Sequence, residues 1–237
     1  MNVKRLVPNF FTLGNLFCGT VAAIFAVQGD YETAAILVVL GIVFDFFDGF
    51  AARMLKVTGE LGKQLDSLAD MVTSGVVPGI IMYKLLLDNN AEIFTASTYL
   101  PYLGLILTLA ACYRLANFNI DERQSDSFIG LPTPAMSLFV IALPFIPEYS
   151  DNQFLIDMVQ NNYFLIGVTL VLSFLMNAEI PLFSLKFKTF GVKENVLKYV
   201  FLLVSIAILL TLESISIPTI IIFYVLLSIG SNLSKKK

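Results

Sequence analysis

The chain has 237 residues, of which 57% are hydrophobic and 14% charged, with a formal net charge of −3. Soluble domains are about 45–50% apolar and about 25% charged. The composition therefore excludes a water-soluble single-domain enzyme and a disordered chain, and the lack of a basic block excludes a nucleic-acid binder. What remains is an integral membrane protein. The chain has 21 Phe, no Trp and no His. Without His, the commonest general base and metal ligand is missing, so acid–base or metal chemistry falls to carboxylates.

Eight apolar runs approach the roughly 20 residues that cross a bilayer. In chain order they are 9–28, 32–52, 66–87, 98–117, 131–147, 161–178, 196–212 and 215–231. Ahead of the first, Met1 to Phe11 are expected to lie along the interface. The second and third runs carry acids at one end, and the fifth is short, with Pro144 and Pro147 near its end. Six spans with two interfacial segments is the alternative count. Cys18 and Cys112 both sit inside apolar runs and are expected to be small buried hydrophobes rather than a disulfide or a zinc site.

Orientation has an independent signal, because Lys and Arg collect in cytoplasmic loops. With the amino terminus inside, 14 of the 15 basic residues fall on the cytoplasmic side, among them Arg5, Arg53, Lys63, Arg114, Arg123, Lys186 and Lys235. The exception is Lys84. The outer loops hold Asp30, Glu32, Asp88, Glu92, Glu148, Asp151 and Asp157. An even number of spans with both termini cytoplasmic follows, and the first run is a retained span. No repeat or linker divides the chain, so residues 1–237 are expected to form a single domain. The expected fold class is all-α, a polytopic transmembrane helical bundle of about eight spans.

The anomaly lies at the end of the second run and the start of the third. Asp45 and Asp48 stand three apart, Asp66 and Asp70 four apart, so each pair shares a helical face. A hairpin turn around 57–62 would bring both pairs to one membrane depth on the cytoplasmic side. Acids in a span cost about 2.5–3.5 kcal/mol each on insertion scales, and four together repel. Two divalent cations would cancel the set, and hard oxygen ligands suit Mg²⁺, Mn²⁺ or Ca²⁺ rather than Zn²⁺. Paired metals on carboxylates serve phosphoryl transfer. Gly49 lets a phosphate approach the backbone. Arg53 either holds a phosphate oxygen or serves only as a topology signal.

The pattern Asp45-x2-Asp48-Gly49-x2-Ala52-Arg53-x8-Gly62-x3-Asp66-x3-Asp70 resembles the signature of the CDP-alcohol phosphatidyltransferases at every position. The resemblance implies a six-helix core with extra C-terminal spans, a homodimer, and displacement of CMP from a CDP-linked lipid with divalent metal. It implies Asp45, Asp48, Asp66 and Asp70 as metal ligands, with Asp70 also the catalytic base. Gly49 and Arg53, and more remotely Gly59 or Thr58, would touch the CDP moiety. The run from Pro8 through Asn9, Thr12 and Asn15 to Gly19, the stretch Arg114 to Asn119 and the stretch Gly130 to Ala135 resemble the serine-accepting membrane branch of that family. Asn9 and Thr12 are thereby candidates for the nucleotide, and Arg114 and Asn119 for the acceptor. In that branch Asn117 departs from an expected Arg or Lys, which would move a phosphate- or acceptor-holding role to Arg114 or Arg123. Asn9, Thr12 and Asn15 also fit hydrogen bonding inside a membrane helix, and 130–135 fits a re-entry turn with Pro at a helix start.

The expected reaction is CDP-diacylglycerol plus L-serine giving phosphatidylserine plus CMP. It would use Mg²⁺ or Mn²⁺, two ions, in the cell (inner) membrane, with membrane lipid around the chain and the active site at the cytoplasmic face. The same chemistry with glycerol 3-phosphate or inositol phosphate is one rival. A cation transporter and a structural membrane scaffold are rivals of other classes.

Overall fold

The computed structural model describes residues 3–89, 99–121, 128–185, 191 and 195–235. After a 3-10 turn at Val3–Arg5, helix α1 runs Leu6–Gln28 and α2 runs Tyr31–Leu55. Leu6 to Phe11 thus belong to α1 rather than to a separate interfacial segment. Gly29, at φ 83°, closes α1 in the left-handed conformation that Gly adopts without strain. Asp30 then caps α2, its side chain accepting the Thr33 N–H at 3.0 Å.

Helix α3 is continuous from Glu60 to Asp88. Its 29 residues extend about 43 Å, longer than the roughly 30 Å hydrocarbon core. A π turn interrupts it at Met71–Val76. Pro78 withholds an N–H and crowds the carbonyl of Ser74 four residues back, and the helix widens just before it. Helix α4 is Leu100–Ile120, beginning as a 3-10 turn.

The remaining helices are α5 (Thr133–Ala142), α6 (Phe145–Tyr149), α7 (Gln153–Val159), α8 (Asn162–Asn177), α9 (Val196–Thr211) and α10 (Ser216–Lys235). Two dipeptides, β1 (Phe128–Ile129) and β2 (Pro181–Leu182), pair antiparallel, a small addition to an otherwise helical chain. They tie the segment before α5 to the segment after α8.

Among the described residues, five helices are long and apolar enough to cross a membrane: α1, α2, α3, α4 and the last, counted over Glu213–Leu233. A sixth results if α7 and α8, bent by 71°, form one span. Helices occupy all eight apolar runs, but three are shorter than the runs predict. The fifth ends at Ala142, before Pro144, and continues only as the five-residue α6; α8 and α9 have 16 residues each.

The bundle core combines large side chains such as Ile81, Met82, Leu86, Leu107 and Leu165, all fully buried, with small-residue packing around α1. Ala22, Ala26, Ala34 and Val38 are fully buried, and a Cβ on Gly19 would fall 2.8 Å from the Thr73 Cα of α3. One on Gly41 would lie 2.8 Å from both Asn15 Oδ1 and Thr73 Cγ2. Close helix approach of this kind is how membrane bundles gain dispersion energy without a hydrophobic driving force. The outward ridges are apolar, with Phe10, Phe17, Phe46 and Phe174 all exposed, as lipid contact requires. Cys18 is buried as expected, but Cys112 is exposed on the outer face of α4, a correction to the expectation that both thiols lie inside. The membrane face of a span needs only apolarity, which a lone thiol satisfies.

Candidate active site

The site assembles where α2 ends and α3 begins. Lys56 takes a left-handed conformation, φ 55°, and the Val57 N–H returns to the Ala52 carbonyl at 3.0 Å, closing α2. Three residues later α3 starts antiparallel to it, and the predicted turn is therefore present, with Gly62 already inside α3. One carboxylate oxygen from each of Asp45, Asp48 and Asp66 lies within 4.8 Å of the other two. Asp70 stands outside this three-oxygen group, one turn deeper on α3, close enough to Asp66 and Asp48 to interact electrostatically.

Helix α1 orients these groups from the side. The Thr12 hydroxyl reaches Asp48 Oδ2 at 2.6 Å and the Pro8 carbonyl at 3.1 Å. A hydroxyl has one proton, and the shorter contact to an ionised acceptor is the stronger use of it. One turn on, Asn15 is fully buried and its side-chain amide donates to Asp70 Oδ1 at 3.1 Å. Asn15 is in turn held by the π turn, since the Thr73 hydroxyl donates to its backbone carbonyl at 3.1 Å. π turns often sit at functional positions in helices.

Asp66 Oδ1 is buried with no hydrogen-bond partner among the described residues. A buried carboxylate oxygen without a partner, on a residue whose carboxylate lies beside two others, is expensive unless a cation completes the group. The all-oxygen donor set fits a hard divalent cation. Asp45, Asp48 and Asp66 would hold it, with Asp70 adjoining.

Beside the aspartates, a cavity of about 420 Å³ opens between the start of α1 and the α2–α3 turn. Asn9, Thr12, Gly49 and Gly59, all expected near the nucleotide, line it together with Asp48 and Asp66. Arg53 is exposed and not part of this wall, but its guanidinium folds back over Gly49, whose Cβ would lie 3.5 Å from Arg53 Nη1. Lys63 and Thr58 also line the cavity, and Arg5 Nη2 would come within 3.9 Å of a Cβ on Gly59.

Arg114 and Asn119, grouped by the sequence, have different surroundings. Asn119 is bound to α3: its Oδ1 accepts from the Ser67 hydroxyl at 3.0 Å, its amide donates to Gln64 Oε1 at 3.4 Å, and its carbonyl accepts from Lys63 Nζ. Arg114 is 7% exposed and lines a second cavity of about 400 Å³ with Asn117, Asp121, Asn177 and Glu179. Arg123 lies outside the described residues.

Sequence reasoning named Asn15 as part of a motif and as a residue fit for hydrogen bonding inside a membrane helix, but not its contact with Asp70. The signal was there: Pro8, Thr12, Asn15 and Gly19 are spaced 4, 3 and 4, one buried helical face. Lys63 carried no signal beyond its charge.

Comparison with known proteins agrees with this geometry. The family model of the CDP-alcohol phosphatidyltransferases matches residues 5–175. The chain is 35% identical over 143 residues to the CDP-diacylglycerol–serine O-phosphatidyltransferase of Bacillus subtilis, covering 59% of this chain and 75% of the relative. It is 30% identical over 219 residues to the enzyme of the same name from Helicobacter pylori strain J99, covering 92% and 87%. The archaetidylserine synthase of Methanothermobacter thermautotrophicus is 28% identical over 162 residues, covering 64% and 65%. A matched region that takes in α1, all four aspartates and Arg114 makes the chain a member of the CDP-alcohol phosphatidyltransferase family.

Proposed function

We propose that the protein transfers the phosphatidyl group of CDP-diacylglycerol to L-serine, giving phosphatidylserine and CMP. The observation that carries this reading is the convergence of Asp45, Asp48 and Asp66 within 4.8 Å, beside a cavity of about 420 Å³, in a chain whose relatives are named for that reaction.

In this reading Asp45, Asp48, Asp66 and Asp70 hold two divalent ions, Mg²⁺ or Mn²⁺, which supply neutralisation of the diphosphate charge. The cytidine end lies against Asn9, Thr12, Gly49 and Gly59, and Arg53 closes over a phosphate oxygen, as a guanidinium fork suits. Asp70, positioned by Asn15, takes the proton of the serine hydroxyl. The serine oxygen then forms a bond to the phosphorus that carries diacylglycerol, and the bond from that phosphorus to CMP breaks. General base catalysis of this kind is typically worth about 10²–10⁴-fold. Arg114 belongs to the acceptor side. Asn119 serves that side by fixing the end of α4 against α3.

The whole chain, 1–237, acts as one domain and as a homodimer, with eight membrane crossings and both termini cytoplasmic. It resides in the cell (inner) membrane, its diacylglycerol in the lipid and its aspartates at the cytoplasmic face. The basic residues support this placement. Arg53, Lys56, Lys63 and Arg114 lie at the aspartate end, while Lys84 near the far end of α3 pairs with Asp88 at 3.4 Å.

The test is CMP release from CDP-diacylglycerol by purified protein in detergent with Mg²⁺ or Mn²⁺. L-serine should support release, and EDTA should abolish it. Release with glycerol 3-phosphate or inositol phosphate and not with serine would refute the acceptor. Cation transport without CMP release would refute the enzyme reading.

A further inference from the structure

A third cavity, of about 550 Å³, is lined by α5, α7, α8 and α10. Helices α8 and α10 both pack on α5. Leu143, Val159, Leu172, Ile221 and Val225 give the cavity a floor that is 2–8% exposed, whereas Val171, Ile222 and Leu226 give it a rim that is 50–62% exposed. Floor and rim both draw on α8 and α10, so the cavity is a slot between them that opens sideways, toward the lipid-facing surface.

The wall is hydrocarbon. Its one hydroxyl, on Thr219, already donates to the Ile215 carbonyl at 2.8 Å. No polar side chain in the wall is left to bind a polar ligand. Water gains nothing there either, since apolar cavities stay dry and take up hydrocarbon. Left empty, the slot would lose dispersion contact along its whole wall.

Length and width select the occupant. On α8 the lining runs from Phe164 to Leu175, about 16 Å at a helix's rise per residue. That is about half of the roughly 30 Å hydrocarbon core, the depth of one leaflet. A volume of about 550 Å³ over that length leaves a slot about 6 Å across, narrower than the roughly 10 Å of a helix with its side chains. An extended acyl chain fits it, and a helix from a second copy or another protein does not.

Both ends are closed. At one end lies α7, bent 71° from α8 and held by the Asn89 amide, which donates to the Val159 carbonyl at 3.0 Å. At the other is the Gly130 turn, where the Gly130 N–H donates to the Ile180 carbonyl at 3.0 Å and the Leu131 N–H to the Leu175 carbonyl at 2.8 Å. The side stays open at Gly167, an exposed lining residue whose Cβ would meet no atom within 4 Å.

The slot is separate from the reaction site. It shares no lining residue with the two polar cavities, and none of its lining comes from α1 to α4. Its α10 wall lies beyond residues 5–175, which the family model matches.

We propose that the slot is a phospholipid site. One acyl chain of a bilayer phospholipid, distinct from the CDP-diacylglycerol substrate, wedges between α8 and α10 and joins the last helix to the rest of the bundle. The chain has no Trp, so one introduced Trp reports its own surroundings. Phe139→Trp places it in the slot wall, where Phe139 is 7% exposed, and Phe174→Trp places it on the outer face of α8, where Phe174 is 68% exposed. Phe164→Trp is a second reporter in the wall, read in place of Phe139→Trp if that variant does not fold. The full chain is reconstituted in vesicles of phosphatidylcholine with or without mid-chain bromines, which quench Trp on contact. The wall reporter should lose at least half as much fluorescence as Phe174→Trp. Adding Gly167→Phe should cut that loss at least threefold and leave the Phe174→Trp loss unchanged. Thermal midpoints establish that each variant is folded. A folded wall reporter that is not quenched while Phe174→Trp is, or whose quenching Gly167→Phe leaves unchanged, would overturn the proposal. Quenching of the wall reporter by brominated CDP-diacylglycerol alone would also overturn it, by making the slot part of the substrate path.

Discussion

The side-chain amide of Asn15 on α1 donates to Asp70 Oδ1 on α3 at 3.1 Å. The contact spans two helices, and it fixes which oxygen of Asp70 is left to take a proton. Asn15 is fully buried, and its backbone carbonyl is held by Thr73, so the donor has little freedom to turn away. Hydrogen bonds to charged groups are worth about 1.5–3 kcal/mol, and 1.4 kcal/mol is about tenfold in rate. Asn15→Ala is therefore expected to lower kcat about 10- to 100-fold, while KM for CDP-diacylglycerol changes little. Steady-state CMP release at saturating serine measures this. An unchanged kcat would remove Asn15 from the account.

Thr12 acts on the metal side of the same helix face. Its hydroxyl lies 2.6 Å from Asp48 Oδ2, and partners of metal ligands typically tune affinity by about 10–100-fold. Thr12→Val keeps the shape and removes the donor. The Mn²⁺ concentration for half-maximal activity should rise at least about tenfold, and excess Mn²⁺ should restore most of kcat. Asp66→Asn, which removes a carboxylate from the oxygen cluster itself, should not be restored.

Gly19 tests the packing that holds α1 against α3. A methyl there would meet the Thr73 Cα at 2.8 Å and its backbone nitrogen at 2.9 Å, and backbone cannot swing aside as a side chain can. Overpacking typically costs about 1–3 kcal/mol. Gly19→Ala should lower the thermal midpoint in detergent and also reduce activity, because Asn15 and Thr12 move with the helix. Gly167, with open space around its Cβ position, is the control: Gly167→Ala should leave the midpoint unchanged or raised.

Arg53 is exposed and folds over Gly49. Arg53→Ala should raise KM for CDP-diacylglycerol about tenfold, equivalent to about 1.4 kcal/mol, with KM for serine unaffected. Arg53→Lys keeps the charge and loses the fork, and should recover only part of the loss. A variant that changes topology but not KM would return Arg53 to a positive-inside signal.

The aspartate cluster was legible in the sequence because its information is local. Spacings of three and four on two consecutive helices place each pair on one face, and the short turn between Lys56 and Gly59 does the rest. The Asn15–Asp70 contact was half legible: the helical face of α1 is visible, but which helix it meets is a tertiary fact. The second cavity was not legible. Glu179 reads in sequence as a single acid at a helix end, and only the β1–β2 pairing with the Gly130 turn brings it to the cavity that Arg114 lines. Hydropathy also overstated element length. Apolar composition continues through Pro144, where backbone geometry interrupts the helix and apolarity does not.

Asp70 carries the central claim, since the account makes it the group that takes the serine proton. The direct measurement is CMP release from CDP-diacylglycerol with L-serine and Mn²⁺, by wild type and by Asp70→Asn purified in parallel, with thermal midpoints taken on both. The account predicts that Asp70→Asn stays folded and that its serine-dependent CMP release falls at least about 100-fold, as loss of a general base implies. Turnover by folded Asp70→Asn at the wild-type rate would contradict it.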